Sequence, residues 1–245
     1  MAKIRRLVVV VHVDRADTRW LQSYADERKM SFDVVRPYAG EPLPALGVGM
    51  AVVCLGGPMA AYDDLPFIRS ETAFLGTAVQ VGIPVLGICL GSQLLARGLG
   101  GDVFPAATGP EVGFIDVVAT QDASSELARM TGGTHFSFHW DTMRPPMAAE
   151  VIARSDRCLQ VWRLGSALAI QYHPELSVPG LQEFFDIEAD KLAGTGLDAA
   201  AAMKELADSE PLRRVRFYEL ADAWLRASGS APVGTTATSA PVSTP

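Results

Sequence analysis

Residues 85–93 read VLGICLGSQ, an apolar run that ends in a cysteine set between two glycines. A strand that passes straight into a helix through Gly-x-Cys-x-Gly must turn sharply. Gly87 and Gly91 permit close packing that side chains there would block. Such a turn stands the Cys89 sulfur clear of the sheet's C-terminal edge, at a helix N-terminus. Unpaired N–H groups and the helix dipole at that place favour the thiolate, which is the reactive form. The N–H of Leu90 becomes available to a developing oxyanion. Cys89 is therefore the candidate nucleophile, and a nucleophile of this kind needs a base.

The chain has four histidines. His12 closes the first apolar run with no acid at a useful spacing except Asp14. His135 and His139, in THFSFHW, are four apart and can share one face of a strand. His173, in AIQYHPE, ends another apolar run and is followed by Pro174 and Glu175. Positions i and i+2 of an extended chain point the same way. A carboxylate at 175 can thus hold the ring's far N–H while the near nitrogen faces the sulfur. His173 is the expected base and Glu175 its orienter, with His135 structural. Cys54 and Cys158 are expected to fill the core. Three cysteines, far apart and without a CxxC pair, suit neither a disulfide framework nor a zinc site.

These residues need a scaffold. The first half alternates apolar, β-rich runs at 7–13, 32–38, 49–58 and 83–89 with helical stretches, among them 66–81 and one beginning at GSQLLARGLGG. That alternation predicts an α/β fold, a flavodoxin-like three-layer and mostly parallel sheet with helices on both faces. The second half carries short strands in EVGFIDVVAT, THFSFHW, EVIARS, CLQVWRLG and SALAIQYHPE, with a hairpin turning at Gly165. They either extend the first sheet or form a small antiparallel element of their own. From 178 to 227 the pattern is helical, in two pieces divided by AGTGLD at 193–198. Phe217, Leu220, Ala221 and Trp224 fall on one face of the last piece and are expected to dock on the core. One domain over 1–228 is expected, followed by a disordered tail at 229–245 made of small, turn-forming and hydroxyl residues.

A length of 245 residues and an apolar share of 49% suit a globular protein with a sizeable core. The net charge is −7, and no basic run exceeds RRVR, which argues against nucleic acid as a partner. No apolar stretch approaches a membrane span, and HVDRAD breaks any signal-peptide pattern. A cytoplasmic protein is expected.

GICLGSQ followed by QYHPE resembles the class I (triad) glutamine amidotransferases, and CLGGPMAAYDD at 54–64 resembles that family's glycine loop. The resemblance spans about residues 50–176. It implies a Cys89–His173–Glu175 triad that releases ammonia from glutamine through a thioester, with no metal or cofactor. Gly57 and Leu90 would supply the oxyanion-hole N–H groups, with Gly56 beside them, and Gln93 would help bind the substrate. His139 and Asp141 would contact the α-amino or α-carboxylate end, or else merely stabilise a strand end. Asp63 and Asp64 would cap the next helix or face solvent. FHWDTM with SDRCLQVWRLG is most similar to the stand-alone, GMP-synthase-like branch that also includes γ-glutamyl peptidases. After residue 176 too little chain follows for a synthase domain, so any ammonia acceptor is expected on a separate synthase subunit. Three other readings remain: a γ-glutamyl peptidase acting on glutathione-like conjugates, a Cys-His-Asp hydrolase, and a non-catalytic binding module. The hydrolase fold would place its acid before the histidine in sequence.

Overall fold

RLVVV forms β1 (Arg6–Val10), whose alternate side chains are buried on opposite sides: Leu7 and Val9 on one, Val8 and Val10 on the other. A strand apolar on both faces must lie inside a sheet covered on both sides. The computed structural model, which describes residues 3–120 and 126–228, supplies that cover. The tail expected at 229–245 lies outside the described residues.

Along the first half, β1 is followed by α1 (Arg19–Glu27), β2 (Ser31–Val35), β3 (Met50–Cys54), α2 (Pro66–Gln80), β4 (Val85–Ile88) and α3 (Leu90–Gly98). The second half contains β5 (Asp102–Pro105), β6 (Glu111–Ala119), α4 (Glu126–Thr131), β7 (Gly133–His139), β8 (Asp141–Arg144), β9 (Glu150–Arg154), β10 (Leu159–Leu164) and β11 (Ala167–Ile170). Helices α5 (Val178–Ile187), α6 (Ala189–Leu192) and α7 (Ala199–Ala227) complete the order. Nine strands form one sheet in the order β2-β1-β3-β4-β11-β10-β9-β6-β7. The first five are mutually parallel in the doubly wound order of flavodoxin-like folds. The remaining four join antiparallel.

The second-half strands therefore extend the first sheet. The separate antiparallel element is the β5–β8 pair, with Asp102 opposite Arg144. Helices α1, α4 and α7 pack on one face around Trp20, Tyr24, Leu127, Phe217 and Trp224. Helices α2 and α3 cover the other through Ile68, Leu75, Leu94 and Leu95. The expected stripe on α7 is buried throughout. A third cluster, with Phe136, Phe138, Leu181 and Phe185, binds β7 to α5.

Parallel strands end on a common edge. The segments after β1, β3, β4 and β11, four neighbours in the sheet, therefore emerge together. They carry His12, Gly56 with Gly57, Cys89, and His173 with Glu175, at the edge where open α/β sheets bind ligands.

Candidate active site

Cys89 joins β4 to α3 with φ +52° and ψ −112°, a strained conformation for a residue with a side chain. Its N–H is anchored on the Ile170 carbonyl at 2.8 Å, and its own carbonyl accepts from the Ser92 hydroxyl at 2.7 Å. The flanking glycines are required by contact. A Cβ on Gly91 would lie 1.9 Å from the Cys54 carbonyl oxygen, and one on Gly87 would lie 2.5 Å from that of Gly91. The strain is thus held by backbone packed against backbone.

His173 lies three residues beyond β11, its N–H bonded to the Phe136 carbonyl at 2.9 Å. Its Nδ1 and Glu175 Oε1 are 2.8 Å apart, and both residues are buried. Its Nε2 has no hydrogen-bond partner in the protein. The ring and the sulfur flank one point: a Cβ on Gly56 would lie 3.0 Å from His173 Cε1 and 3.8 Å from Cys89 Sγ. Burial pulls the imidazole's pKa down. The negative charges of Glu175 and Cys89, with their hydrogen bonds, outweigh that and push it up to about 10. At neutral pH the site holds an imidazolium beside the sulfur, the partner that a thiolate nucleophile needs.

Neither the N–H of Gly57, in the loop after β3, nor that of Leu90, the first residue of α3, has a hydrogen-bond partner among the described residues. Both residues line one cavity of about 590 Å³ together with Cys89, His173, Glu175, Gln93, His139 and Asp141. All nine residues expected at the site therefore border the same space.

Their polar atoms are not equally free. The Gln93 Nε2 donates to Gln171 Oε1 at 3.1 Å and to the Asp141 carbonyl at 3.4 Å. His139 has both ring nitrogens engaged, Nδ1 with the Asp141 carbonyl at 2.8 Å and Nε2 with Glu111 Oε2 at 3.0 Å. It offers the cavity a ring and no hydrogen-bonding nitrogen. Burial raises the pKa of the Asp141 carboxyl, which accepts from the Tyr62 hydroxyl at 3.2 Å. Asp63 and Asp64 do not cap α2, whose N-cap is Leu65. Instead Asp63 accepts the Ala60 N–H and Asp64 pairs with Arg69. His135 is buried and stacked on Tyr172 at 3.9 Å. Burial first, and then the charge of Arg213, lowers its pKa to about 4. Cys54 and Cys158 are buried thiols whose pKa values burial raises.

Three partnerships were not read from the sequence. His12 pairs with Glu71 on α2, Nε2 to Oε2 at 2.7 Å, whereas Asp14 takes the Tyr38 hydroxyl. Glu111 holds His139 and also accepts from Ser155 and Gln160. Helix α5 brings Phe184 to 5.7 Å from the His173 ring. Glu71 did leave a signal, because it shares the buried stripe of α2 with Ile68 and Leu75. Each histidine-carboxylate pair also has a cysteine close by, Cys54 beside His12 and Cys158 beside His139.

A family model described as glutamine amidotransferase class-I matches residues 10–183. The putative glutamine amidotransferase-like protein YfeJ of Salmonella typhimurium is 28% identical over 231 residues, 89% of this chain and 90% of that protein. The glutamine-hydrolysing GMP synthase of Aeropyrum pernix is 33% identical over 147 residues, which are 56% of this chain but 26% of that protein. The γ-glutamyl-L-1-hydroxyisopropylamide hydrolase of a Pseudomonas species is 29% identical over 159 residues, 59% of this chain and 54% of that one. A solved glutamine amidotransferase from Thermotoga maritima superposes with a TM-score of 0.83 and 27% identity, covering 93% of this chain and 99% of its own.

Proposed function

The chain belongs to the class-I glutamine amidotransferases, and on that premise we propose that it hydrolyses a γ-glutamyl amide, glutamine first, through a thioester on Cys89. The Cys89 thiolate attacks the γ-amide carbon. The N–H groups of Gly57 and Leu90 hold the oxyanion, each worth roughly 3 kcal/mol to the transition state. The His173 imidazolium donates its Nε2 proton to the departing nitrogen, and ammonia leaves. The neutral ring then takes a proton from water, which attacks the thioester. A second oxyanion collapses, the sulfur departs as thiolate and glutamate is released. Glu175 keeps the Nδ1 proton in place through both halves of the cycle.

The observation that carries this reading is the convergence of three items at one sheet edge. They are a strained cysteine, a histidine whose free nitrogen is turned to it, and two N–H groups without partners. Cys89→Ala should abolish release of ammonia from glutamine and leave binding of substrate intact. Substantial turnover in that variant would refute the mechanism.

A second reading keeps the chemistry and changes the leaving group. Whatever substituent the departing nitrogen bears must lie near the His173 Nε2. The wall beside that ring is apolar: Phe184, Phe138 in edge contact with it at 4.9 Å, and Trp140 at 4.7 Å from Phe138. Ammonia makes no use of such a wall, whereas an N-substituted γ-glutamyl amide does. The name of the Pseudomonas relative points to that substrate class. A panel of glutamine, γ-glutamyl alkylamides and γ-glutamyl peptides, with ammonia and amine measured separately, decides between the two. If ammonia is the physiological product, its acceptor is a separate synthase subunit. No helix among the described residues is long and apolar enough to cross a membrane, and we place the protein in the cytoplasm.

A further inference from the structure

The catalytic steps leave one buried pair at the same sheet edge unused. His12 and Glu71 are almost wholly enclosed, with side chains 0% and 1% exposed, and their ring nitrogen and carboxylate oxygen are 2.7 Å apart. The other ring nitrogen, Nδ1, is 3.2 Å from the carbonyl oxygen of Gly56. A carbonyl can only accept, so Nδ1 carries a hydrogen and donates it. Glu71 makes this the stable arrangement. With its carboxylate accepting from Nε2–H, the ring carries both protons. With its carboxyl protonated, Glu71 donates to a bare Nε2 and Nδ1 keeps its hydrogen. The tautomer bearing hydrogen on Nε2 alone would set a lone pair against the Gly56 oxygen.

The peptide that joins Gly56 to Gly57 is planar and trans. Its C=O and its N–H therefore point in opposite directions. Fixing the Gly56 oxygen on His12 turns the Gly57 N–H the other way, and that N–H is the unpartnered one. The loop is also pressed against the ring. A Cβ on Gly57 would lie 2.5 Å from the His12 Cβ and 3.1 Å from Leu90 Cδ2, and one on Gly56 would meet His173 and Cys89. His12 thus backs the loop on one side, and the cysteine and histidine face it on the other.

We infer that His12, anchored by Glu71, is a positioning residue that locks the Gly56–Gly57 peptide with its N–H toward the oxyanion, so that this half of the hole stands formed before substrate arrives. A glycine pair has little intrinsic resistance to rotating its peptide, and a rotated peptide would present a carbonyl oxygen to the developing negative charge. Preorganisation of the donor is what gives an oxyanion hole its effect. The inference rests on the acyl-transfer reading above and adds to it the residue that sets the loop.

Two variants separate this role from a merely structural one. The amide nitrogen of asparagine can take the place of the histidine Nδ1, and that of glutamine the place of Nε2. His12→Asn can keep the bond to Gly56 while giving up Glu71. His12→Gln keeps Glu71 while releasing Gly56. Turnover of glutamine and of a γ-glutamyl anilide is measured for wild type, both variants and Cys89→Ala, with KM, thermal midpoint and the rate at which iodoacetamide alkylates Cys89.

The lock predicts that kcat falls about 10²-fold in His12→Gln, toward the loss seen when one oxyanion donor is removed. KM and the alkylation rate should hold, because alkylation needs the thiolate and no oxyanion. In His12→Asn kcat should stay within about fivefold of wild type, even if that variant melts earlier. The opposite ranking, with His12→Asn the less active, would make the pair structural and overturn the lock. Equal kcat in wild type and His12→Gln would overturn it also, as would an alkylation rate that falls in step with kcat. Absence of Cys89-dependent turnover in the wild-type protein is a different failure: it removes the acyl-transfer reading, and the lock with it.

Discussion

His173 is enclosed by protein, and for an enclosed imidazole the neutral form is the default. That it holds its proton to about pH 10 depends on two anions, Glu175 at 2.8 Å and the Cys89 sulfur. Glu175→Gln removes the first of these and leaves the burial unchanged. The ring's pKa should then fall by several units, and a thiolate would lose its counter-charge. Histidine labelled with carbon-13 at Cε1 allows the ring to be titrated directly by NMR. Turnover should fall by about 10²- to 10⁴-fold, the range expected when a general acid-base group loses its working state. A Glu175→Gln protein whose His173 still titrates near pH 10 would show that the carboxylate is not what sustains the charge. Cys89→Ala should lower the same pKa by a smaller amount, because Glu175 remains.

The element that closes the site over His173 is α5, and it is held by a single buried carboxylate. Asp17, in the segment between β1 and α1, accepts from the Ser177 N–H at 2.7 Å and from its hydroxyl at 2.6 Å. The Ser177 hydroxyl in turn caps α5 through the Gly180 N–H. Asp17→Ala strands two buried donors and should cost about 2–4 kcal/mol, read as a lower urea midpoint at unchanged slope. Hydrogen exchange should quicken over residues 178–187 before it does in β4. A loss under about 0.5 kcal/mol, typical of a surface change, would mean that α5 is held by its apolar face alone. How much of this was legible in the sequence follows from the range of each cause. The parallel strands were readable because burial on both faces writes a continuous apolar run into each. The elbow was readable because its glycines are local. The β5–β8 pair and α4 were not, since strands of four residues and a helix of six carry too few positions to show a period. The partners of His12 and His139 lie 59 and 28 residues away, and only the folded sheet brings them together. His173 was expected at a strand end and lies past it, yet its pairing with Glu175 held because the link through Pro174 is short.

At the scale of the whole molecule, two buried histidines displaced in opposite directions shape how stability depends on pH. An ordinary histidine titrates near 6.5, and His135 in the folded protein titrates near 4. Below pH 6.5 the unfolded chain takes up a proton that the folded protein refuses. Stability therefore falls between pH 6.5 and 4, by about 3 kcal/mol from this group. His173 works in the other direction. Its folded pKa lies near 10, so its contribution is complete below about pH 6.5 and is lost as pH rises through 10. The two limbs meet near pH 6.5, where each histidine is in the form that the fold prefers. Denaturant unfolding across pH 4 to 10 should give a dome, and two variants should open it from different sides. His135→Phe, which preserves the stack on Tyr172, should flatten the acid limb and leave the alkaline one unchanged. Glu175→Gln should flatten the alkaline limb, because the raised pKa no longer exists to be titrated. The comparison is between wild type and variant at each pH, so the carboxylates common to both cancel. Parallel curves for wild type and His135→Phe between pH 6.5 and 4 would mean that the buried ring opens to solvent before the molecule unfolds, and that the stack on Tyr172 does not exclude a proton.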